Sequence, residues 1–434
     1  MNMNSRTVLR GARWPGDIAI ADGLIAETGI VEPRPGDAVV NVDGDIITAG
    51  LANTHHHLYQ WMTRGRAVGC DLFGWLVELY PVWGRLSVDD VAAAALVGLG
   101  ELAATGCTSA SDHHYLVPHG DDAVFDAIVE AAAAVGIRLH LSRGSMDLGE
   151  SQGGLPPDHV VEDLDSIMAS TERVIARYHD GDMVHVVVAP CSPFSVSSEL
   201  MEASAALARR HGLRLHTHLC ETVDEQEHCL ERFGRRPVAQ LDCWGWVGDD
   251  VWLAHGIWIN DEEIARLGAA GVGVAHCPSS NARLAAGTCR VTDLEAAGVL
   301  VGLGVDGVAS NEVGGLFPEL RQSLYAARLR AMNPGAFMPV DALRLGTVGG
   351  ARCLGVADRL GSLEPGMTAD LAVWPGHDIA DVVDPLAGLV LGPDRRVRHL
   401  YVGGRAVVQN GELLGCDLAA AHADLARRAR RLWE

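Results

Sequence analysis

The stretch Ile46-Ile47-Thr48-Ala49-Gly50-Leu51-Ala52-Asn53-Thr54-His55-His56-His57-Leu58 decides how the rest of the chain is interpreted. An apolar run leads into a His-x-His pair, and on a β-strand the side chains of residues i and i+2 lie on the same face. His55 and His57 can therefore bind one metal ion, whereas His56 points to the other side. The stretch predicts a buried strand that ends in two metal ligands.

Four later segments repeat this pattern, because each reads as a short apolar strand that ends in a polar group. These segments are 213–221 with His216 and His218, 251–256 with His255, 272–278 with His276, and 301–307 with Asp306. Parallel α/β barrels place the polar residues of their active sites at the carboxyl ends of such buried strands. The repetition therefore predicts one site at which several strand ends meet.

Length and composition are typical of a large enzyme. The chain has 434 residues, of which 48% are hydrophobic and 21% are charged, and this is enough to bury a large core. Lys and Arg number 34 against 56 Asp and Glu, so the formal net charge is -22, and no basic patch is evident. Nucleic acids and anionic membranes are therefore poor candidates as partners.

Cysteine usage and hydropathy indicate where the protein works. The 10 cysteines are scattered without a C-x-x-C pair, and the start of the chain is polar and lacks an apolar signal core. Both features favour the reducing cytoplasm. The Ala-rich runs are short and flanked by charge, so they are predicted to be buried faces of helices rather than membrane spans.

The middle of the chain repeats one structural unit. Residues 7–45 alternate in period two around Ala21-Asp22-Gly23, a strong hairpin signal. Residues 46–350 then repeat strand, loop and helix. The candidate strands lie near 46–57, 106–112, 137–142, 184–190, 213–219, 251–255, 271–276 and 300–306. Such a series of eight units predicts an α/β fold, a (β/α)8 TIM barrel.

The two ends of the chain are predicted to form a second, smaller unit. After about residue 357 the sequence returns to short strands and glycine turns. Because the first and last segments are each too small to bury a sheet face alone, they are predicted to pack together as one β-sandwich. The predicted boundaries are 1–48 for the N-terminal part of the sandwich, 49–356 for the barrel and 357–434 for the C-terminal part.

The ordered motifs resemble the amidohydrolase superfamily, in particular its deaminase and chlorohydrolase branch. The residues that carry the resemblance are Asn53-Thr54-His55-His56-His57, His216-Thr217-His218-Leu219-Cys220-Glu221, Leu253-Ala254-His255-Gly256, His276-Cys277-Pro278-Ser279-Ser280-Asn281, Leu303-Gly304-Val305-Asp306-Gly307 and the closing segment 360–371. The resemblance runs from end to end of the chain. Segments 55–60, 79–83, 111–115, 142–146 and 189–196 look most like the group of bacterial 8-oxoguanine deaminases.

This resemblance implies a hydrolytic metal centre with one Zn²⁺ per subunit, although the same ligands also accept Fe²⁺ or Mn²⁺. The expected ligands are His55, His57, His218 and Asp306. Glu221, three residues after His218, would protonate a ring nitrogen of the substrate and shuttle protons. Asp306 would accept the proton of the attacking water, and His255 would orient that water and stabilise its developing charge. His216 is expected to lie deeper in the barrel as a structural residue.

The substrate is expected to be a nucleobase-like heterocycle bound by loops that follow the early strands. Gln60 offers a donor and an acceptor to the amide edge of such a ring. Trp75 belongs to an aromatic-rich helical run over 72–83 that could stack on the ring as a lid, but that equally suits a core helix or a homo-oligomer interface. The expected contacts are Gln60, Trp75, His113, Arg143 and Cys191.

The expected reaction is deamination of 8-oxoguanine to urate, with isocytosine as a secondary substrate. An s-triazine, pterin or guanine aminohydrolase is the alternative, and a non-catalytic barrel scaffold is disfavoured because the ligands and proton carriers are all present. Guanine deaminases carry an arginine before a Phe-Ser pair, where this chain has Pro193 before Phe194-Ser195. Arg283 replaces an expected apolar residue, and the loop beyond Asn311 also departs from the 8-oxoguanine group.

Overall fold

The computed structural model describes residues 6–117 and 121–433. Its strands are β1 Thr7–Arg10, β2 Asp17–Ala21, β3 Leu24–Gly29, β4 Ala38–Asn41, β5 Ile46–Ala49, β6 Leu51–Asn53, β7 His56–His57, β8 Cys107–His114, β9 Arg138–Ser145, β10 Val184–Pro190, β11 Leu215–Leu219, β12 Val251–His255, β13 Gly273–His276, β14 Leu300–Leu303, β15 Asp306–Gly307, β16 Leu371–Trp374, β17 His399–Val402, β18 Arg405–Gln409 and β19 Glu412–Leu413. Residues 1–5, on which the expected absence of a signal peptide rests, lie outside the described residues.

The helices lie mostly between the barrel strands. They are α1 Leu72–Trp83, α2 Val88–Ala104, α3 Ala123–Val135, α4 Leu164–Tyr178, α5 Ser198–Arg210, α6 Val223–Phe233, α7 Pro237–Cys243, α8 Asp261–Ala270, α9 Pro278–Arg283, α10 Val291–Ala296, α11 Phe317–Ala331, α12 Pro339–Arg344, α13 Gly350–Cys353, α14 Pro385–Leu391 and α15 Leu418–Arg431. Within the described ranges, none of these helices combines the length and the apolarity that a membrane span requires.

A sheet of 8 parallel strands forms the barrel wall, in the order β14-β13-β12-β11-β10-β9-β8-β6. The ends of this sheet meet through β7 and β15, where His56 pairs with Asp306. The backbone N–H of Thr54 also donates to the carbonyl oxygen of Leu303 at 2.9 Å. These contacts confirm the predicted (β/α)8 barrel, and they bring the first and last candidate metal ligands together.

The first predicted strand, 46–57, is divided among three sheets, since β5, β6 and β7 each belong to a different one. β5 pairs antiparallel with β16, outside the barrel, whereas β6 pairs with β8 in the barrel wall. Gly50 lies between them, and a Cβ atom at this position would lie only 2.3 Å from the side chain of Thr108. Only glycine fits so close to β8, and the chain passes from one sheet to the other at this residue.

Strands from both ends of the chain form the predicted sandwich. One sheet has the order β3-β2-β1-β4, and the other has the order β19-β18-β17-β16-β5. The hairpin between β2 and β3 turns at Asp22 and Gly23, with φ of 52° and 79°, as an Asp-Gly pair predicts. Residues of both sheets share one buried core, which includes Leu9, Ile18, Ile25, Leu371 and Tyr401.

The last helix packs on the barrel rather than in the sandwich. α15 lies against α2 and buries Leu425 in the main core of the protein. At the other end of this contact, Nη2 of Arg431 lies 2.8 Å from Oδ1 of Asp90, which is fully buried. The segment 357–434 therefore contributes to both units, which the pattern of short strands did not predict.

Candidate active site

The carboxyl ends of the barrel strands surround a cavity. The residues predicted from the sequence that line it are His57, Gln60, Trp75, Cys191, His218, Glu221, His255 and Asp306. Much of the remaining wall consists of Leu72, Leu76, Tyr80, Tyr115, Phe194 and Leu284. His55 is fully buried beside them, with its ring centroid 4.7 Å from that of His57. Residues from strands far apart in the chain therefore meet at one place, as the strand-end pattern predicts.

The four candidate metal ligands converge on one point. The Nε2 atoms of His57 and His218 are 3.1 Å apart. Oδ1 of Asp306 lies 3.3 Å from Nε2 of His57 and 3.4 Å from Nε2 of His55. All four side chains are buried. Imidazole nitrogens together with a carboxylate oxygen form the type of ligand set that zinc takes in hydrolytic sites.

Hydrogen bonds determine which ring nitrogen each histidine turns toward this point. Nδ1 of His57 lies 2.7 Å from the carbonyl oxygen of His113, and Nδ1 of His218 lies 2.7 Å from that of Cys191. Burial lowers the pKa of both histidines, so the rings are neutral. Because a carbonyl oxygen only accepts, Nδ1 donates and Nε2 carries a lone pair. Two lone pairs that face each other at 3.1 Å repel unless a cation binds both, so these residues fit a metal ion.

His216 sets the orientation of His55. Nδ1 of His216 donates to the carbonyl oxygen of Trp252 at 2.9 Å, which leaves Nε2 to accept from Nδ1 of His55 at 2.8 Å. His55 then directs Nε2 toward the other ligands, and that atom has no hydrogen-bond partner among the described residues. The sequence predicts a structural role for His216. Its contact with His55 shows that this role is to orient a metal ligand.

Two serines hold the second oxygen of Asp306. Its Oδ2 atom accepts from the hydroxyl groups of Ser280 at 2.5 Å and Ser310 at 3.2 Å. The backbone of Asp306 has a φ of 61°, a left-handed conformation that costs free energy and is often found at functional sites. The serines fix one carboxylate oxygen, and the other remains directed at the histidines.

Glu221 is buried at the cavity, where β11 gives way to α6. Its Oε2 atom lies 3.6 Å from Nε2 of His255. Glu225 accepts from the backbone N–H groups of Cys220 at 2.7 Å and of Glu221 at 3.3 Å, which holds the chain in place at this turn. Burial raises the pKa of Glu221 to about 7, although the charge of His255 opposes the rise. A carboxyl group that titrates near neutrality can both donate and accept a proton.

Asn281 orients His255. The Nδ1 atom of His255 lies 3.0 Å from Oδ1 of Asn281, so Nδ1 donates and Nε2 is directed to the side of Glu221. His255 has a φ of 73°, and this left-handed backbone ends β12. Asn281 belongs to a motif that the resemblance singled out, but its role depends on a contact between α9 and the end of β12 that the sequence does not show.

Three expected substrate residues line the cavity. Gln60 is only 1% exposed, and neither Oε1 nor Nε2 has a hydrogen-bond partner among the described residues. Trp75 donates through Nε1 to the carbonyl oxygen of Ala309 at 3.0 Å, so its ring is held in one position at the cavity wall. Cys191 also lines the cavity, and its carbonyl oxygen orients His218.

Two other expected substrate residues do not line the cavity. Nε2 of His113 lies 2.8 Å from the carbonyl oxygen of Ala189, and the residue belongs to a group of four histidines, with His55, His57 and His218, that could hold a metal ion. The guanidinium of Arg143 pairs with Glu162 at 2.8 Å and contacts Ser170 of α4 at 2.9 Å. We therefore assign Arg143 to the packing of β9 on α4 and correct its expected role in substrate binding.

Known proteins share this architecture. Residues 46–407 match the amidohydrolase family. The chain is 48% identical over 415 residues to the 8-oxoguanine deaminase of Pseudomonas aeruginosa, with 93% of this chain and 92% of that protein covered. It is 37% identical over 449 residues to an isoxanthopterin deaminase from an unknown prokaryotic organism, with coverages of 97% and 93%.

A solved structure with a related sequence has the same fold as this chain. The crystal structure of atrazine chlorohydrolase from Arthrobacter aurescens, complexed with zinc, superposes with a TM-score of 0.91 at 32% identity, and the alignment covers 98% of this chain and 100% of that one. The buried cluster of His55, His57, His113 and His218 is suited to a divalent metal ion. From the family match, the shared fold and this cluster of ligands, we conclude that the chain belongs to the amidohydrolase family.

Proposed function

We propose that this protein hydrolyses 8-oxoguanine to urate and ammonia, with one zinc ion bound per subunit by His55, His57, His218 and Asp306. In this reaction water adds to C2 of the purine, the bond from C2 to the exocyclic nitrogen breaks, and ammonia leaves. The identity of 48% to the deaminase of Pseudomonas aeruginosa, over nearly the full length of both chains, supports this choice of substrate.

The carboxamide of Gln60 is the observation that carries the proposal. Both of its polar atoms are buried and have no hydrogen-bond partner among the described residues, although burying an unpaired polar group costs about 1–3 kcal/mol. A ligand with a donor and an acceptor side by side satisfies both atoms at once, and the amide edge of 8-oxoguanine has this arrangement. Trp75, Tyr80 and Leu284 add the apolar wall that a flat heterocycle requires.

The metal ligands define where water attacks. A zinc ion held by these residues would lower the pKa of a water molecule and would supply positive charge to stabilise developing negative charge. Oδ1 of Asp306 lies 3.3 Å from Nε2 of His57, beside the histidine ligands, so Asp306 can accept the proton that the attacking water loses. The hydroxyl of Ser280 holds the other oxygen of Asp306 and keeps this acceptor in place.

Glu221 and His255 manage the remaining protons and charge. Glu221 gives its proton to a ring nitrogen, which makes C2 more electrophilic, and then carries a proton to the departing amine. Burial lowers the pKa of His255, but the negative charges of Glu221 and Asp306 outweigh burial and raise that pKa above its usual value. When His255 carries a proton on Nε2, it can donate from this atom and stabilise charge on the attacking oxygen.

Substitution of Gln60→Leu is expected to lower kcat/KM for 8-oxoguanine by about a hundredfold, chiefly through KM, because two hydrogen bonds to the substrate are lost. Steady-state kinetics on zinc-loaded protein measures this effect. Gln240→Leu is the matched control, since Gln240 is also buried and its Oε1 finds no partner in the described part of the chain, but it does not line the cavity. A Gln60→Leu enzyme within threefold of the wild type would show that Gln60 does not recognise the ring.

A substrate panel tests the proposed function directly. Ammonia release from 8-oxoguanine, guanine, isocytosine, isoxanthopterin and aminotriazines is measured with the purified, zinc-loaded protein, and kcat/KM is expected to be highest for 8-oxoguanine. Guanine is expected to be poor, because Cys191, Ser192 and Phe194 line the cavity in the loop where guanine deaminases carry their arginine. A preference for isoxanthopterin or a triazine would reassign the substrate, and no release from any compound would favour a scaffold.

A further inference from the structure

Arg283 joins helix α9 to two loops at the rim of the active site. It is the last residue of α9, and its Nε and Nη2 atoms lie 3.2 Å and 3.1 Å from Oε1 of Glu312, in the loop after β15. Its Nη1 and Nη2 atoms also donate to the carbonyl oxygens of Ala67 at 3.1 Å and Arg66 at 2.8 Å. One guanidinium therefore connects α9, the loop after β15 and the loop 64–71.

The loop 64–71 leads directly into the helix that covers the cavity. Asp71 caps α1 by accepting from the backbone N–H of Gly74 at 2.9 Å, and α1 then places Leu72, Trp75 and Leu76 in the cavity wall. The position of Leu72, at the start of α1, therefore depends on the position of the loop 64–71. Leu284, the residue after Arg283, lines the same cavity from the other side.

The same helix α9 also supports the catalytic groups. Ser280 donates to Asp306, and Asn281 accepts from His255. Arg283 lies two residues beyond Asn281 in the same helix. Its contacts with the loop 64–71 therefore connect α1, which covers the cavity, to α9, which orients Asp306 and His255. A second tie between α1 and the loop after β15 is the hydrogen bond from Trp75 to Ala309.

The contact between Arg283 and Glu312 is partly buried, and it involves residues with an unusual backbone conformation. The side chain of Arg283 is 12% exposed and that of Glu312 is 35% exposed, so the ion pair is partly shielded from solvent. Ala67 and Glu312 both have left-handed backbones, with φ of 48° and 65°. Residues other than glycine rarely adopt this conformation unless their surroundings hold it, and both Ala67 and Glu312 contact the guanidinium of Arg283. Arginine suits the task because its planar fork holds several acceptors at once.

We propose that Arg283 is a positioning residue for the substrate: it fixes the loop 64–71 and thereby sets how closely Leu72, Trp75 and Leu76 approach the bound ring. This inference rests on the proposed function, because the ring in question is the heterocycle that the cavity binds. The residue itself touches no reacting atom, and it acts through α1. Arg283 and Glu312, which stand in the two regions where the sequence departs from the 8-oxoguanine group, are thus partners in one contact.

Kinetics of the variant Arg283→Leu test this proposal. KM for 8-oxoguanine is expected to rise about tenfold while kcat changes less than threefold, since the wall contributes to binding and not to proton transfer. Glu312→Gln removes the charge and keeps the shape, and its KM is expected to rise by a smaller factor. Arg283→Lys is expected to fall between the wild type and Arg283→Leu, because an ammonium cannot hold the carboxylate and both carbonyl groups together.

The matched control is Arg321→Leu. Arg321 also holds one carbonyl oxygen and one carboxylate, those of Gly392 and Asp394, but it contacts no part of the cavity wall. Its loss is expected to leave both kinetic parameters within twofold of the wild type. Equal effects of Arg321→Leu and Arg283→Leu on KM, or a fall in kcat with unchanged KM in Arg283→Leu, would overturn the proposal.

Limited trypsin digestion gives a readout that does not depend on the substrate. Arg64 and Arg66 are exposed in the loop 64–71, so trypsin cuts there once the loop separates from Arg283. Mass spectrometry is expected to find cleavage after these residues at least tenfold faster in Arg283→Leu than in wild type or Arg321→Leu. Cleavage at the wild-type rate would refute the proposal even if the wild type turned over every compound, whereas fast cleavage in a protein inactive on the whole panel would fault only the proposed function.

Discussion

The variant Glu221→Gln is expected to lose about a thousandfold in kcat on 8-oxoguanine while it keeps its zinc. Glutamine has the shape of glutamate but carries no transferable proton, so the ring nitrogen stays unprotonated and ammonia has no proton donor. The side chain lies 3.6 Å from His255 and does not belong to the metal ligands, and for this reason the metal content is expected to be unchanged. Stopped-assay kinetics together with metal analysis measure both quantities on the same preparation.

A control for this variant is available elsewhere in the chain. Glu263 is also a buried glutamate, but it caps α8 and pairs with Arg236 outside the cavity. Glu263→Gln is therefore expected to lower stability slightly and to leave kcat within twofold of the wild type. If Glu221→Gln retained more than a tenth of the wild-type kcat at full zinc occupancy, Glu221 would not be the proton carrier.

The barrel could be predicted because each of its strands leaves a local signal. Strands of a parallel sheet are buried on both faces, so they appear as short apolar runs, and their polar ends mark the side of the active site. The strand predicted over 46–57 shows the limit of this signal. An apolar run does not reveal that the sheet changes at Gly50, because that change depends on how closely the chain approaches Thr108, a residue distant in sequence.

Arg143 shows why the position of a residue at a strand end is not enough to assign it a role in substrate binding. Side chains alternate between the two faces of a strand, so neighbouring residues point in opposite directions. Ser142 contacts Ser111 of the neighbouring strand β8 on the inward face, with 3.1 Å between their Oγ atoms, and Arg143 consequently points outward to Ser170 of α4. The sequence marks the end of β9 but not which face looks inward.

The supporting residues were harder to predict than the ligands. His55, His57, His218 and Asp306 belong to motifs with a clear chemical purpose, whereas Glu225, Asn281 and Ser310 gain their roles only from contacts made in the folded chain. Buried carboxyl and amide groups are common in helices near strand ends, and most of them have no part in a site. Only the distances in the structure distinguish these three.

Removal of the metal is expected to abolish measurable activity and to lower the Tm by at least about 5 °C. Without a cation, the lone pairs on Nε2 of His57 and His218 face each other at 3.1 Å, and the carboxylate of Asp306 adds negative charge beside them. A bound divalent ion converts these repulsions into ligand bonds and stabilises only the folded state. Calorimetry before and after treatment with a chelator, followed by addition of zinc, measures the loss and the recovery.

The variant His218→Asn separates the metal's structural effect from its chemistry. Loss of one ligand is expected to reduce the zinc content well below one ion per chain and to lower the Tm as the chelator does, so that added zinc no longer restores stability. His211→Asn is the control, because His211 is a surface histidine that pairs with Glu172 far from the ligand set. If the chelated wild type kept both its Tm and its ammonia release, the four residues would not hold a functional metal ion, and the facing lone pairs would need another explanation.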